Sequence, residues 1–128
     1  MDKAELLHRT KQFALRVLRL VDHLLATAAG RAIGAQLIRS ATSVGANYRS
    51  ACRGRSRAEF AAKIGVVAEE ADESVYWLEL IAEGGLLSAT KINPLLNEAN
   101  ELTAIFTAAR RTSTIKPQTS NLKHSPHA

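Results

Sequence analysis

Arginine is the residue whose spacing carries chemistry in this chain. Between Gln36 and Phe60 stand Arg39, Arg49, Arg53, Arg55 and Arg57 against a single carboxylate, Glu59, and Lys63 follows one helical turn later. On a helix reaching residue 53, positions 39, 42, 46, 49 and 53 share one face, so Arg39, Arg49 and Arg53 form a line leading to Arg55 and Arg57 at the next turn. Guanidinium forks pair bidentately with phosphate oxygens, and Asn47, Tyr48 and Ser50 can add hydrogen bonds or stacking, so a nucleic-acid backbone suits this stripe. Carboxylates suit it as well. The segment 69–83 holds Glu69, Glu70, Asp72, Glu73, Glu79 and Glu83, and ion pairs within one chain or between copies would satisfy the same arginines. A second basic line, Arg9, Arg16 and His23 with Arg19 nearby, is a solvated face or an extension of the first.

Other chemistries find less support. Glu5 and His8 provide one Glu-x-x-His spacing, but a paired metal in a helical bundle needs a second, so no metal site is expected. Ser43 lies in no nucleophile elbow, and Cys52, the one cysteine, lacks histidine and carboxamide partners in pattern. Neither a dinucleotide fingerprint nor a Walker pattern is present. The expectation is a non-enzymatic protein without cofactor. Seventeen basic and twelve acidic residues give a net charge of +5 and a pI near 9.8, within the range that suggests an anionic partner. The charged N-terminal stretch, the absence of a bilayer-length apolar run and the single thiol point to a reducing, cytoplasmic setting and to no membrane.

The elements that must position these residues follow from apolar periodicity. At 128 residues, 46% of them apolar and only 5% aromatic, the chain fits one domain with an aliphatic core. Leu6, Phe13, Val17, Leu20 and Leu24 mark a first helix over about 2–25, with Gly30 as the break after it. Ile33, Leu37, Ala41, Val44, Tyr48 and Ala51 mark a second helix ending near Gly54. Ser56 is a candidate N-cap with Glu59 completing a capping box, and Phe60, Ile64, Val67, Ala71, Leu78 and Ile81 carry a third helix to Gly84 and Gly85. A fourth starts between Ser88 and Pro94 and presents Leu95, Ala99, Leu102, Phe106 and Ala109. The prediction is an all-α, antiparallel up-and-down four-helix bundle over residues 1–111, with a loose, flexible C-terminal tail over 112–128 whose polar, proline-broken sequence cannot offset its ordering entropy.

Helical glycines at 34, 45 and 65 each cost about 1 kcal/mol relative to alanine, and close approach of a neighbouring helix, in a zone that includes Ala41, is the expected compensation. Tyr76 and Trp77 are expected as core or interface anchors. In helix one Leu7, Ala14, Leu15, Leu18 and Val21 widen the apolar face, either to cover the core or to serve self-association.

The run Arg39 to Asn47, "RSATSVGAN", together with Gly54, Arg55, Ser56, Phe60, Glu73, Tyr76, Trp77 and Leu78, resembles the bacterial four-helix bundle proteins encoded in intervening sequences of 23S ribosomal RNA genes. The resemblance covers about residues 5–110. It implies an antiparallel bundle that assembles with itself, commonly as a homopentameric ring, without enzymatic activity. A related branch consists of accessory proteins of diversity-generating retroelements, which implies RNA or DNA and a reverse transcriptase as partners. The chain departs from the family pattern at Tyr48, Arg49 and Ser50, where relatives often carry an apolar residue, alanine and glutamate.

Overall fold

The computed structural model describes residues 1–124, with side chains through Ser113. Four helices follow in order: α1 Lys3–Val21, α2 Ala28–Cys52, α3 Arg57–Glu83 and α4 Ala89–His124. Leu25 N–H donates to the Leu86 carbonyl at 3.2 Å, joining the α1–α2 and α3–α4 connections at one pole of the bundle. The α2–α3 connection, 53–56, lies at the opposite pole with the start of α1. α3 packs between α2 and α4, while α1 leans on α2 and touches α4 sparingly.

Each helix begins for a local reason. Asp2 and Glu5 close a full capping box on α1: Asp2 Oδ1 accepts from Glu5 N–H at 2.8 Å, and Glu5 Oε1 accepts from Asp2 N–H at 3.2 Å. Ser56 caps α3 as its sequence predicts, accepting from Glu59 N–H at 3.1 Å. The Glu59 carboxylate reaches one residue further back than a capping box requires and takes the Arg55 N–H at 2.7 Å. Gly85, with φ at +71°, supplies the left-handed turn after α3 that a side chain would oppose.

Several boundaries differ from the periodicity-based expectation, beginning with α1, which ends at Val21 and not near residue 25. α2 starts before Gly30, with Thr27 as N-cap, so Gly30 is a buried first-turn residue and not a break. A Cβ there would stand 2.1 Å from the Leu25 carbonyl oxygen, so the connection folds over a place where only glycine fits. α4 starts at the early end of its window, which puts Pro94 at its sixth residue and leaves the Thr90 carbonyl without an amide partner at an exposed position. In return Ile92, absent from the expected stripe, is fully buried. Helix α4 also runs on past residue 111. The tail expected over 112–128 overlaps its last turns, and from residue 114 onward that expectation lies outside the described side chains.

The core is aliphatic, with Phe13, Tyr48 and Phe106 as its aromatic members. Tyr48 and Phe106 rings meet at 5.2 Å between centroids, so the tyrosine proposed for stacking on a ligand is spent on the core. Burial, then contact with Cys52, raises the Tyr48 phenol well above its usual range. Truncating a ring such as Phe106 in this setting costs about 3–5 kcal/mol. One polar pair is sealed between α2 and α3, where Ser74 Oγ donates to Ser40 Oγ at 2.9 Å beside the fully buried Ala41. Small side chains at 40 and 41 thus set the distance between these helices. Gly34 acts similarly against the end of α1, where an added Cβ would meet Val21 and Leu24 methyls at 3.1 and 3.2 Å.

Candidate nucleic-acid interface

The basic residues divide into two groups according to what α3 and α4 place opposite them. Arg39, midway along α2, is answered across the α2–α3 seam. Its Nη1 donates to both Glu70 carboxylate oxygens at 3.2 and 3.3 Å, its Nη2 donates to Glu73, and its Nε reaches Gln36 Oε1 at 3.3 Å. Glu73 is held in turn by the Trp77 indole N–H at 3.0 Å. Arg9 of α1 is answered by α4: Nε and Nη2 engage the two oxygens of Glu98 at 2.6 and 2.8 Å, and Nη2 also meets Glu101 at 2.5 Å. The hydrogen bond to Glu98 is the main reason that the Arg9 pKa is raised further still, against the opposing effect of burial. These two arginines hold helices together.

The end of α2 is different. Arg49, Arg53, Arg55 and Lys63 line a cleft of about 570 Å³ between the last turns of α2 and the first turns of α3, floored by Ala46, Gly54 and Ala62, with Ser50 on its wall. None of these four cations forms an ion pair among the described residues. Glu59 is the one carboxylate in the cleft, and its oxygen is engaged by the Arg55 backbone. Three positive charges are therefore left uncompensated around one opening. Helix dipoles account for part of this pattern only. Arg49 sits favourably in the last turn of α2, whereas Arg57, exposed as the first residue of α3, sits where a cation costs about 0.3–1 kcal/mol. Folding does not explain cations placed against a dipole and against each other.

Of the six basic residues singled out by spacing, the structure brings Arg49, Arg53, Arg55 and Lys63 together, sets Arg57 just outside the cleft, and directs Arg39 to α3. The packing residues separate as well. Ala41 and Gly34 are buried, Gly45 borders an open groove, Trp77 packs partly on the core, and Tyr76 is 52% exposed with its ring edge-on to Trp77 at 5.1 Å. The second apolar face of α1 is divided: Leu7 and Val21 pack against the core, while Leu15 and Leu18 are exposed. Glu98 and Glu101 escaped notice; the signal was their three-residue spacing on one face of α4. Among the described residues no cluster of three or more His, Cys, Asp or Glu side chains could hold a metal ion, and no helix is long and apolar enough to cross a membrane.

The profile of the 23S rRNA-intervening sequence protein family matches residues 2–108, which include all four helices up to the buried Phe106. The chain belongs to that family. Among solved structures, a protein of unknown function from the S23 ribosomal protein family of Bacteroides thetaiotaomicron is similar to it at 29% sequence identity, with a TM-score of 0.77 over 84% of this chain and 99% of that one. No curated protein matches. For a 23S rRNA-intervening sequence protein, the cleft at the α2–α3 turn is thus a feature laid on a fold already seen by crystallography.

Proposed function

We propose that this protein is a non-enzymatic, self-associating helical bundle that binds the backbone of RNA or DNA at the α2–α3 cleft. The observation that carries the reading is the division just described: two arginines have carboxylates built opposite them, while Arg49, Arg53, Arg55 and Lys63 surround an open cleft with Glu59 alone. Phosphate oxygens are the complement to such a cluster, and contacts of this type carry affinity with little base specificity. Assembly into a ring, which the family resemblance implies, would repeat the cleft around a belt and multiply weak contacts through effective concentration. The exposed Leu15, Leu18 and Tyr76 are available to such an assembly.

The test is fluorescence anisotropy of labelled RNA and DNA over a salt series, with particle mass followed by light scattering. The Arg49→Glu/Arg53→Glu double variant is expected to bind at least about a hundredfold more weakly with mass unchanged, and wild-type affinity should fall as a power of salt concentration. A second reading is favoured by one observation. Glu79 and Glu83 are exposed and form no ion pair among the described residues, so the arginine cleft of one copy has acidic partners available on the next. Under that reading the protein is an interaction scaffold, the double variant breaks the assembly, and nucleic acid does not bind at low salt.

A further inference from the structure

Two openings meet at Arg49. The basic cleft shares Ala46 and Arg49 with a second groove of about 510 Å³, which runs between α1 and α2. Their chemistry differs. The groove is walled by Leu7 and Ala14 and floored by Gly45 and Ala46, with His8 and Lys11 on its α1 rim. Gly45 is informative here, because its helical cost has no packing return. A Cβ at Gly45 would come no closer than 3.5 Å to Thr10, an ordinary contact, whereas at Gly34 it would press into side chains. Helix packing alone would admit alanine at 45, and what glycine leaves there is room.

We propose that the α1–α2 groove is a base site for single-stranded nucleic acid: phosphates lie on Arg49, Arg53 and Lys63, and an adjacent base turns into the groove over Gly45 and Ala46 beside His8. The inference rests on the phosphate-binding reading of the cleft and narrows its partner. A duplex keeps its bases stacked and paired, so among nucleic acids a recess that adjoins a phosphate cleft at Ala46 and Arg49 suits an unstacked base. The recess lies within the size range of small-molecule sites, about 300–1,000 Å³, and an imidazole on its rim is one of the side chains on which bases stack. The Thr10 and Thr42 hydroxyls in its lining donate to carbonyls of their own helices, and the charged ends of Lys11 and Arg49 suit phosphate, so tolerance of base identity is expected.

The experiment compares a labelled oligouridylate with an RNA duplex of matching length, by anisotropy at low salt, on the full chain and two variants. Thr42 and His8 are both exposed and line the groove without lining the basic cleft, so Thr42→Phe fills the groove and His8→Ala empties its rim without touching the core. Wild type should prefer the single strand. Thr42→Phe should weaken single-strand binding about tenfold and His8→Ala about threefold, with duplex affinity within about twofold for both. Equal wild-type affinity for the two probes, together with no selective effect of Thr42→Phe, overturns the base site and leaves the phosphate cleft standing. A fall in particle mass for Thr42→Phe with single-strand affinity retained overturns it as well, by giving the groove to a second copy. No binding of either probe removes the phosphate reading and the base site together.

Discussion

The two halves of α2 carry the same residue type to opposite ends. At mid-helix Arg39 faces Glu70 and Glu73, beside the sealed Ser40–Ser74 pair, and its charge serves the α2–α3 seam. About three and four turns later Arg49 and Arg53 line a cleft with Lys63 and Glu59, whose carboxylate takes the Arg55 amide, and their charge is left to the solvent. Arginine content therefore says little about binding until the opposite helix face is known. What distinguishes a candidate site from a structural ion pair is the absence of an answer, since an unanswered cluster is mutually repulsive and gains only from a partner outside the fold.

That contrast can be broken by giving the cleft the acid it lacks. Lys63→Glu places a carboxylate where Arg49 and Arg53 converge, and nucleic-acid affinity measured by anisotropy should fall about a hundredfold, equivalent to about 2.7 kcal/mol, with thermal stability unchanged or slightly raised. Removing an answered arginine should do the reverse. Arg9→Ala strips a half-buried, bidentate partner from Glu98 and is expected to cost about 2 kcal/mol, seen as a fall in Tm of roughly 5–10 °C, with affinity little altered. Arg39 is about half exposed, so Arg39→Ala should cost no more than about 1 kcal/mol in denaturant melts and change affinity less than twofold. The smallest effect sharpens the comparison most. Glu70→Gln/Glu73→Gln frees Arg39 while keeping acceptors for Trp77, and should steepen the salt dependence of binding by less than one unit of slope on a double-logarithmic plot.

The sequence was legible wherever a period decides the answer. Phe13 and Val17, Leu37 and Val44, Ile64 and Leu78, and Leu102 and Phe106 all fall on the expected stripes, because a buried helix face needs side chains at steps of three and four. It was less legible where one backbone atom decides. Gly30 reads as a break, and only the position of the Leu25 carbonyl reveals it as a residue inside α2. Pro94 argues for a late start to α4, yet burial of Ile92 outweighs one lost amide bond at an exposed turn. The arginine cluster could be seen from spacing. Its division could not, since Glu70 and Glu73 lie 31 and 34 residues from Arg39, and Glu98 lies 89 from Arg9, so each pairing depends on how helices align across a seam.

The Arg9 clamp also has a consequence for how the molecule is made. α1 leaves the ribosome before α2, α3 and α4, and the carboxylates that fasten it to α4 are encoded 89 and 92 residues after Arg9. At about 5–20 residues per second, synthesis leaves the α1–α4 seam open for roughly 5–20 s, long after α2 and α3 can pair behind it. During that interval α1, with Leu15 and Leu18 on its outer face, is held by α2 alone, so the bundle closes only once α4 has been made.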